Sequence, residues 1–173
     1  PWTWDEAGTY RVYADFTPAG EEAEGITLTR AIEVAGDFTP VETEAQPTDE
    51  VDGYTVSLNG DLTAGTSSEL TISVERDGQP VTTLEPYLGA FGHLVALREG
   101  DLAYLHVHAE GYQPQAGDTA GPEIRFAAEA PTADRYLLYL DFQVDGQVHT
   151  AEFVIDAEHG DGTKTDDSHS DGH

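Results

Sequence analysis

The chain has 173 residues, with 34 Asp plus Glu against 7 Lys plus Arg and a formal net charge of -27. A surface so acidic repels polyanions, which excludes nucleic acid and anionic lipid as partners. There is no cysteine and no methionine, so thiolate zinc sites, iron–sulfur clusters, disulfide scaffolds and blue-copper centres are excluded as well.

The chain opens on Pro1-Trp2-Thr3-Trp4, within what reads as a strand, and an internal repeat accounts for that start. The run Ala7-Gly8-Thr9-Tyr10-Arg11-Val12-Tyr13-Ala14-Asp15-Phe16 matches Ala133-Asp134-Arg135-Tyr136-Leu137-Leu138-Tyr139-Leu140-Asp141-Phe142, with Ala, both Tyr, Asp and Phe in step. Further on, 29–34 (TRAIEV) can be laid on 150–155 (TAEFVI). Residues 1–36 are therefore expected to be the C-terminal hairpin of an incomplete first repeat, in a fragment of a longer precursor. A lone two-stranded hairpin is marginal in water, so it is expected to pack on the second domain or on another chain, a missing N-terminal part of the same protein or a second copy, or to stay loose.

Residues 37–51 (DFTPVETEAQPTDEV) have the acidic, proline-containing composition of a linker. A complete domain is predicted over 52–157. Its strand signals are 54–58, 70–75, 93–97, 102–108, 124–128, 136–144 and 147–155, separated by Asn59-Gly60, Asp77-Gly78, Glu99-Gly100, Gly121-Pro122 and Asp145-Gly146. No segment keeps a helical period, and no apolar run reaches the ~18 residues of a membrane span. Many short strands with regular turns predict an all-β fold, an antiparallel immunoglobulin- or cupredoxin-like β-sandwich. Residues 158–173 (EHGDGTKTDDSHSDGH) carry three His and nothing apolar, and are expected to be a disordered tail.

The chemistry concentrates in HLVALREGDLAYLHVH, 93–108. Folding this run about Arg98-Glu99-Gly100-Asp101 places Leu97 opposite Leu102, and by the same count His93 opposite His106, with His108 two residues on along the same face. The Asp145-Gly146 turn sets Val144 opposite Gln147 and Phe142 opposite His149, which puts His149 on the core face. His93, His106, His108 and His149 are thus the candidate metal ligands. Imidazoles without sulfur suit Cu(II) or Zn(II). A one-residue slip would send every side chain of the hairpin to the other face. The other readings of these residues are edge-strand histidines exposed to water and a hydrogen-bonded core histidine.

The runs Asp77-Gly78-Gln79-Pro80-Val81, Leu84-Glu85-Pro86-Tyr87-Leu88-Gly89-Ala90, Gly92-His93-Leu94-Val95, His106-Val107-His108 and Asp141-Phe142…Val148-His149-Thr150-Ala151-Glu152-Phe153 together resemble a family. It is one of secreted or membrane-anchored actinobacterial β-domain proteins with a GHLV…HVH hairpin, and the resemblance covers about residues 52–156. It implies metal handling outside the cytoplasm. This chain has Ala109 where that motif usually has proline after the second histidine. The expected protein is a non-enzymatic, extracytoplasmic binder of divalent metal, with no integral membrane segment here and homo-oligomerisation open. The alternative is a structural or adhesive immunoglobulin-like surface module of a salt-adapted organism, whose acidity serves solubility in salt.

Overall fold

The computed structural model describes residues 3–19, 26–40, 43–105 and 107–160. His106 and the tail 161–173, including His169 and His173, lie outside the described residues. The chain divides into two units, Pro1–Thr43 and Glu44–His173.

The first unit holds one antiparallel pair, β1 (Gly8–Phe16) and β2 (Ile26–Val34). Their register sets Tyr10 opposite Ile32 and Phe16 opposite Ile26.

The second unit is an antiparallel β-sandwich. In chain order it contains β3 (Thr48–Val51), β4 (Tyr54–Asn59), β5 (Leu62–Thr63), β6 (Ser67–Arg76), β7 (Gln79–Pro80), β8 (His93–Arg98), β9 (Tyr104–Leu105), β10 (Val107–Ala109), β11 (Glu123–Glu129), β12 (Arg135–Val144) and β13 (Gln147–Glu158). One sheet has the order β10-β11-β6-β4-β3, with β7 on β6; the other has the order β5-β13-β12-β8-β9. Among the described residues its pairs are antiparallel except the short β5–β13 pair. Strict period-two burial drives the long strands: in β12, Tyr136, Leu138, Leu140, Phe142 and Val144 are buried and the residues between them are not. They face Val56, Leu58, Leu70, Ile72, Val74, Ile124 and Phe126 in a single core. Packing two such faces removes the apolar side of each sheet from water, which is the main force holding the unit together.

Turn chemistry fixes much of the pairing. Asp52-Gly53, Asp77-Gly78 and Asp145-Gly146 all have positive φ at both residues (50 and 82, 51 and 69, 52 and 73 degrees). That is the two-residue hairpin turn whose twist matches that of the flanking strands. Each joins a tight antiparallel pair: β3–β4, β6–β7 and β12–β13.

Two predicted boundaries are corrected. Residues 48–51 are not linker but the edge strand β3, paired with β4 through the Asp52-Gly53 turn. The acidic alternation of Thr48-Asp49-Glu50-Val51 belongs to a strand that meets solvent on one side. The predicted strand 102–108 is not continuous. Leu102 lies in the turn at φ 53 degrees, β9 joins one sheet, and β10 joins the other.

Candidate functional site

The hairpin that was to gather the histidines has a different register. Arg98 donates from Nε to Asp101 Oδ1 at 3.0 Å and from Nη2 to Oδ2 at 2.7 Å, and the Ala103 amide donates to Asp101 Oδ1 at 3.0 Å. This pair holds a wider turn, closed by Leu102 N to Arg98 O at 2.9 Å and Arg98 N to Ala103 O at 2.9 Å. Leu97 therefore faces Tyr104, two residues beyond the predicted Leu102. A shift of two preserves which face each side chain takes but changes every partner along the pair.

His93, His108 and His149 sit on three different strands. His93 begins β8 and lies opposite Asp141. It shares the outward face with Asp141 and with Thr150, whose hydroxyl donates to Asp141 at 2.6 Å. His149 lies opposite Phe142 on the inward face of the same sheet, as the Asp145-Gly146 turn predicts, and is buried at 8 % exposure. His108 is exposed on β10, opposite Ala127 in the other sheet. His93 and His149 thus take opposite faces of one sheet, and His149 does not join His93; His106 falls outside the described residues. Among the described residues, no group of three or more His, Asp or Glu side chains could hold a metal ion.

His149 instead belongs to a compact polar cluster at the turn end of the sandwich. Its Nδ1 lies 2.8 Å from Asp52 Oδ2. An ionised carboxylate only accepts, so Nδ1 carries the proton and donates. The imidazole packs against two rings, Tyr54 at 4.8 Å and Phe142 at 5.3 Å between centroids. Arg76 lies over Tyr54, 5.0 Å from the ring centre, and donates from Nη1 to the phenol oxygen at 3.2 Å. Asp52, Tyr54, Arg76 and His149 line a cleft of about 390 Å³ together with Asp145 and Gln147. Two Asp-Gly turns and β6 deliver the cluster. Asp52 is held at the β3–β4 turn, Tyr54 and Arg76 oppose each other on β4 and β6, and Asp145 begins the β12–β13 turn.

Sequence reasoning missed Asp52, Tyr54 and Arg76. The signal was present: Asp52-Gly53 precedes Tyr54 as Asp77-Gly78 follows Arg76, so the two turns frame one antiparallel pair.

Glu85 secures the neighbouring loop. Its carboxylate accepts from Gln143 Nε2 at 2.9 Å and from the Gly146 amide at 2.8 Å. The Gln143 bond, then the Gly146 bond, hold the Glu85 carboxyl below its ordinary 4.5. A carboxyl depressed in the folded state contributes stability above its unfolded value and loses it as pH falls through the folded one. Glu85→Gln is therefore expected to be less stable than the parent near pH 7, and the gap should close as pH falls below about 4. Urea unfolding of both proteins across that range checks this; a gap independent of pH would show that the two hydrogen bonds are indifferent to the charge.

The fold and this cluster define a β-sandwich whose polar groups are mutually satisfied; among the described residues no buried side-chain nitrogen or oxygen lacks a partner. The chain belongs to the family described as a domain of unknown function, DUF8832, whose model matches residues 49–159, from within β3 to just past β13. No curated protein and no solved structure matches the chain. No helix among the described residues is long and apolar enough to cross a membrane.

Proposed function

We propose that this chain is a non-enzymatic, extracytoplasmic interaction module, an acid-coated β-sandwich that acts as a structural or adhesive element in a salt-rich setting. The observation that carries this reading is how the polar side chains at the turn end are used. Asp52 ties the β3–β4 turn to His149, Glu85 ties its loop to the β12–β13 turn, and Arg76 caps Tyr54. Asp52, His149, Arg76, Tyr54 and Glu85 are each engaged with another part of the same fold. A catalytic or metal centre instead leaves a coordination position or a reactive group open to its ligand.

The net charge of -27 supports the salt-rich setting. Self-repulsion at such a charge opposes the compact state, and salt screens it. From about 0.01 M to about 1 M NaCl the Debye length falls from roughly 30 Å to roughly 3 Å, and the melting temperature is expected to rise steadily over that range. The same measurement, repeated with excess Zn(II) or Cu(II), tests the metal-binding alternative through His93, His106, His108 and His149. A metal that binds only the folded chain stabilises it by about 2.7 kcal/mol at 100 times its Kd. A metal held equally by the folded and unfolded chain shifts nothing. Salt stabilisation without a metal shift supports the module. A metal shift removed by His149→Ala or His106→Ala would replace this reading with a metal-binding one.

A further inference from the structure

The β1–β2 pair has the pairing pattern of β12–β13, position for position. Tyr10 opposes Ile32 as Tyr136 opposes Ile155, Asp15 opposes Thr27 as Asp141 opposes Thr150, and Phe16 opposes Ile26 as Phe142 opposes His149. This moves the second half of the repeat by two residues from the TRAIEV/TAEFVI alignment: Thr27, not Thr29, corresponds to Thr150. A strand's side-chain period of two hides such a shift from the sequence.

With this correspondence the faces also match. One face of β1–β2 carries Tyr10, Val12, Ala14, Phe16, Ile26, Leu28, Ile32 and Val34, with Arg30 as its charged member. The equivalent face of β12–β13 is Tyr136, Leu138, Leu140, Phe142, His149, Ala151, Ile155 and Ala157, with Phe153 at the place of Arg30. The opposite face of β1–β2 carries Thr9, Arg11, Tyr13, Thr27, Thr29, Ala31 and Glu33. The burial differs sharply. Tyr136, Leu138, Leu140 and Phe142 are each 0 % exposed, whereas Phe16, Ile26 and Leu28 are 46 %, 43 % and 57 % exposed. A two-stranded pair with an exposed apolar face does not hold itself together in water.

The equivalent face of β12–β13 is covered within the second unit. The inner faces of β4, β6 and β11 lie over β12–β13, and β8 pairs along the edge of β12. We infer that the apolar face of β1–β2 is the docking surface for a second sandwich body of this same family. That body would bring strands like β4, β6 and β11 over Phe16, Ile26 and Leu28, and a strand like β8 along the free side of β1. The long stem of Arg30 can cover apolar surface while its guanidinium reaches water, so one arginine is compatible with such a seam. A second copy of the present chain is a poorer occupant, because its own sandwich strands are already covered by its own β12–β13.

The test supplies the body. A fusion carries residues 44–131, which span β3 to β11, ahead of Pro1 through a flexible linker, and is compared with the 173-residue chain by amide hydrogen exchange. Exchange over 8–16 and 26–34 is expected to slow by at least about tenfold in the fusion. Phe16→Glu with Leu28→Glu should abolish that protection, while Thr9→Glu on the opposite face should leave it intact. The proposal is overturned if the fusion leaves exchange unchanged, or if both sets of substitutions act alike. It is also overturned if the 173-residue chain already protects this pair, alone or as a dimer by sedimentation, since another surface then covers the face.

Discussion

Phe142→Ala is expected to destabilise the sandwich by about 3–5 kcal/mol, the range for deleting a fully buried aromatic ring. Phe142 is 0 % exposed and sits at the junction of the core and the polar cluster. Its ring meets Tyr54 edge-on at 5.4 Å and lies 5.3 Å from the His149 imidazole. Removing it leaves a cavity beneath both rings, and such a cavity collapses only partly because the flanking strands are pinned by their ladders. Against a typical stability of about 5–15 kcal/mol, this is a large fraction of the whole. Urea unfolding should show the midpoint falling with little change of slope. A loss below about 1 kcal/mol would mean that the core repacks around the gap, and that Phe142 does not hold His149 in place.

Asp52→Ala should destabilise by about 1 kcal/mol. Truncating one partner of a buried hydrogen bond costs about 1–3 kcal/mol, and the low end applies because the Asp52 side chain is 64 % exposed, so water reaches the gap. The informative comparison is Asp52→Ala with His149→Phe. Replacing both polar partners by apolar groups removes the need for the bond and can be nearly neutral. The double variant is therefore expected to recover most of the loss. If it is instead worse than the sum of the single variants, His149 has a role that Asp52 does not define, and the interaction-module reading weakens in favour of a ligand at the imidazole.

Much of the fold was legible because local chemistry set it. Asp145-Gly146 fixed the β12–β13 register down to Phe142 opposite His149, and the alternation in 136–144 named its own buried face. The path of the 93–108 hairpin was not legible, for two physical reasons. The Glu99-Gly100 turn has no two-residue Asp-Gly signature, so its width depends on the Arg98–Asp101 pair, a side-chain contact that outweighs the turn count. The apolar run 102–108 also gives no sign of changing sheets, since either sheet can bury Leu105 and Val107.

By itself the sequence determined an all-β fold, the hairpins closed by Asp-Gly turns, the core face of β12 and β13, the burial of His149 and the likeness between residues 7–16 and 133–142. These follow from period-two patterning and turn residues, which act over a few positions. Only the tertiary structure decided which sheet each short strand joins, that His93 and His149 take opposite faces of one sheet, and that Asp52 meets His149 from 97 residues away. Those outcomes depend on how two twisted sheets pack, and no local signal in the chain encodes that geometry.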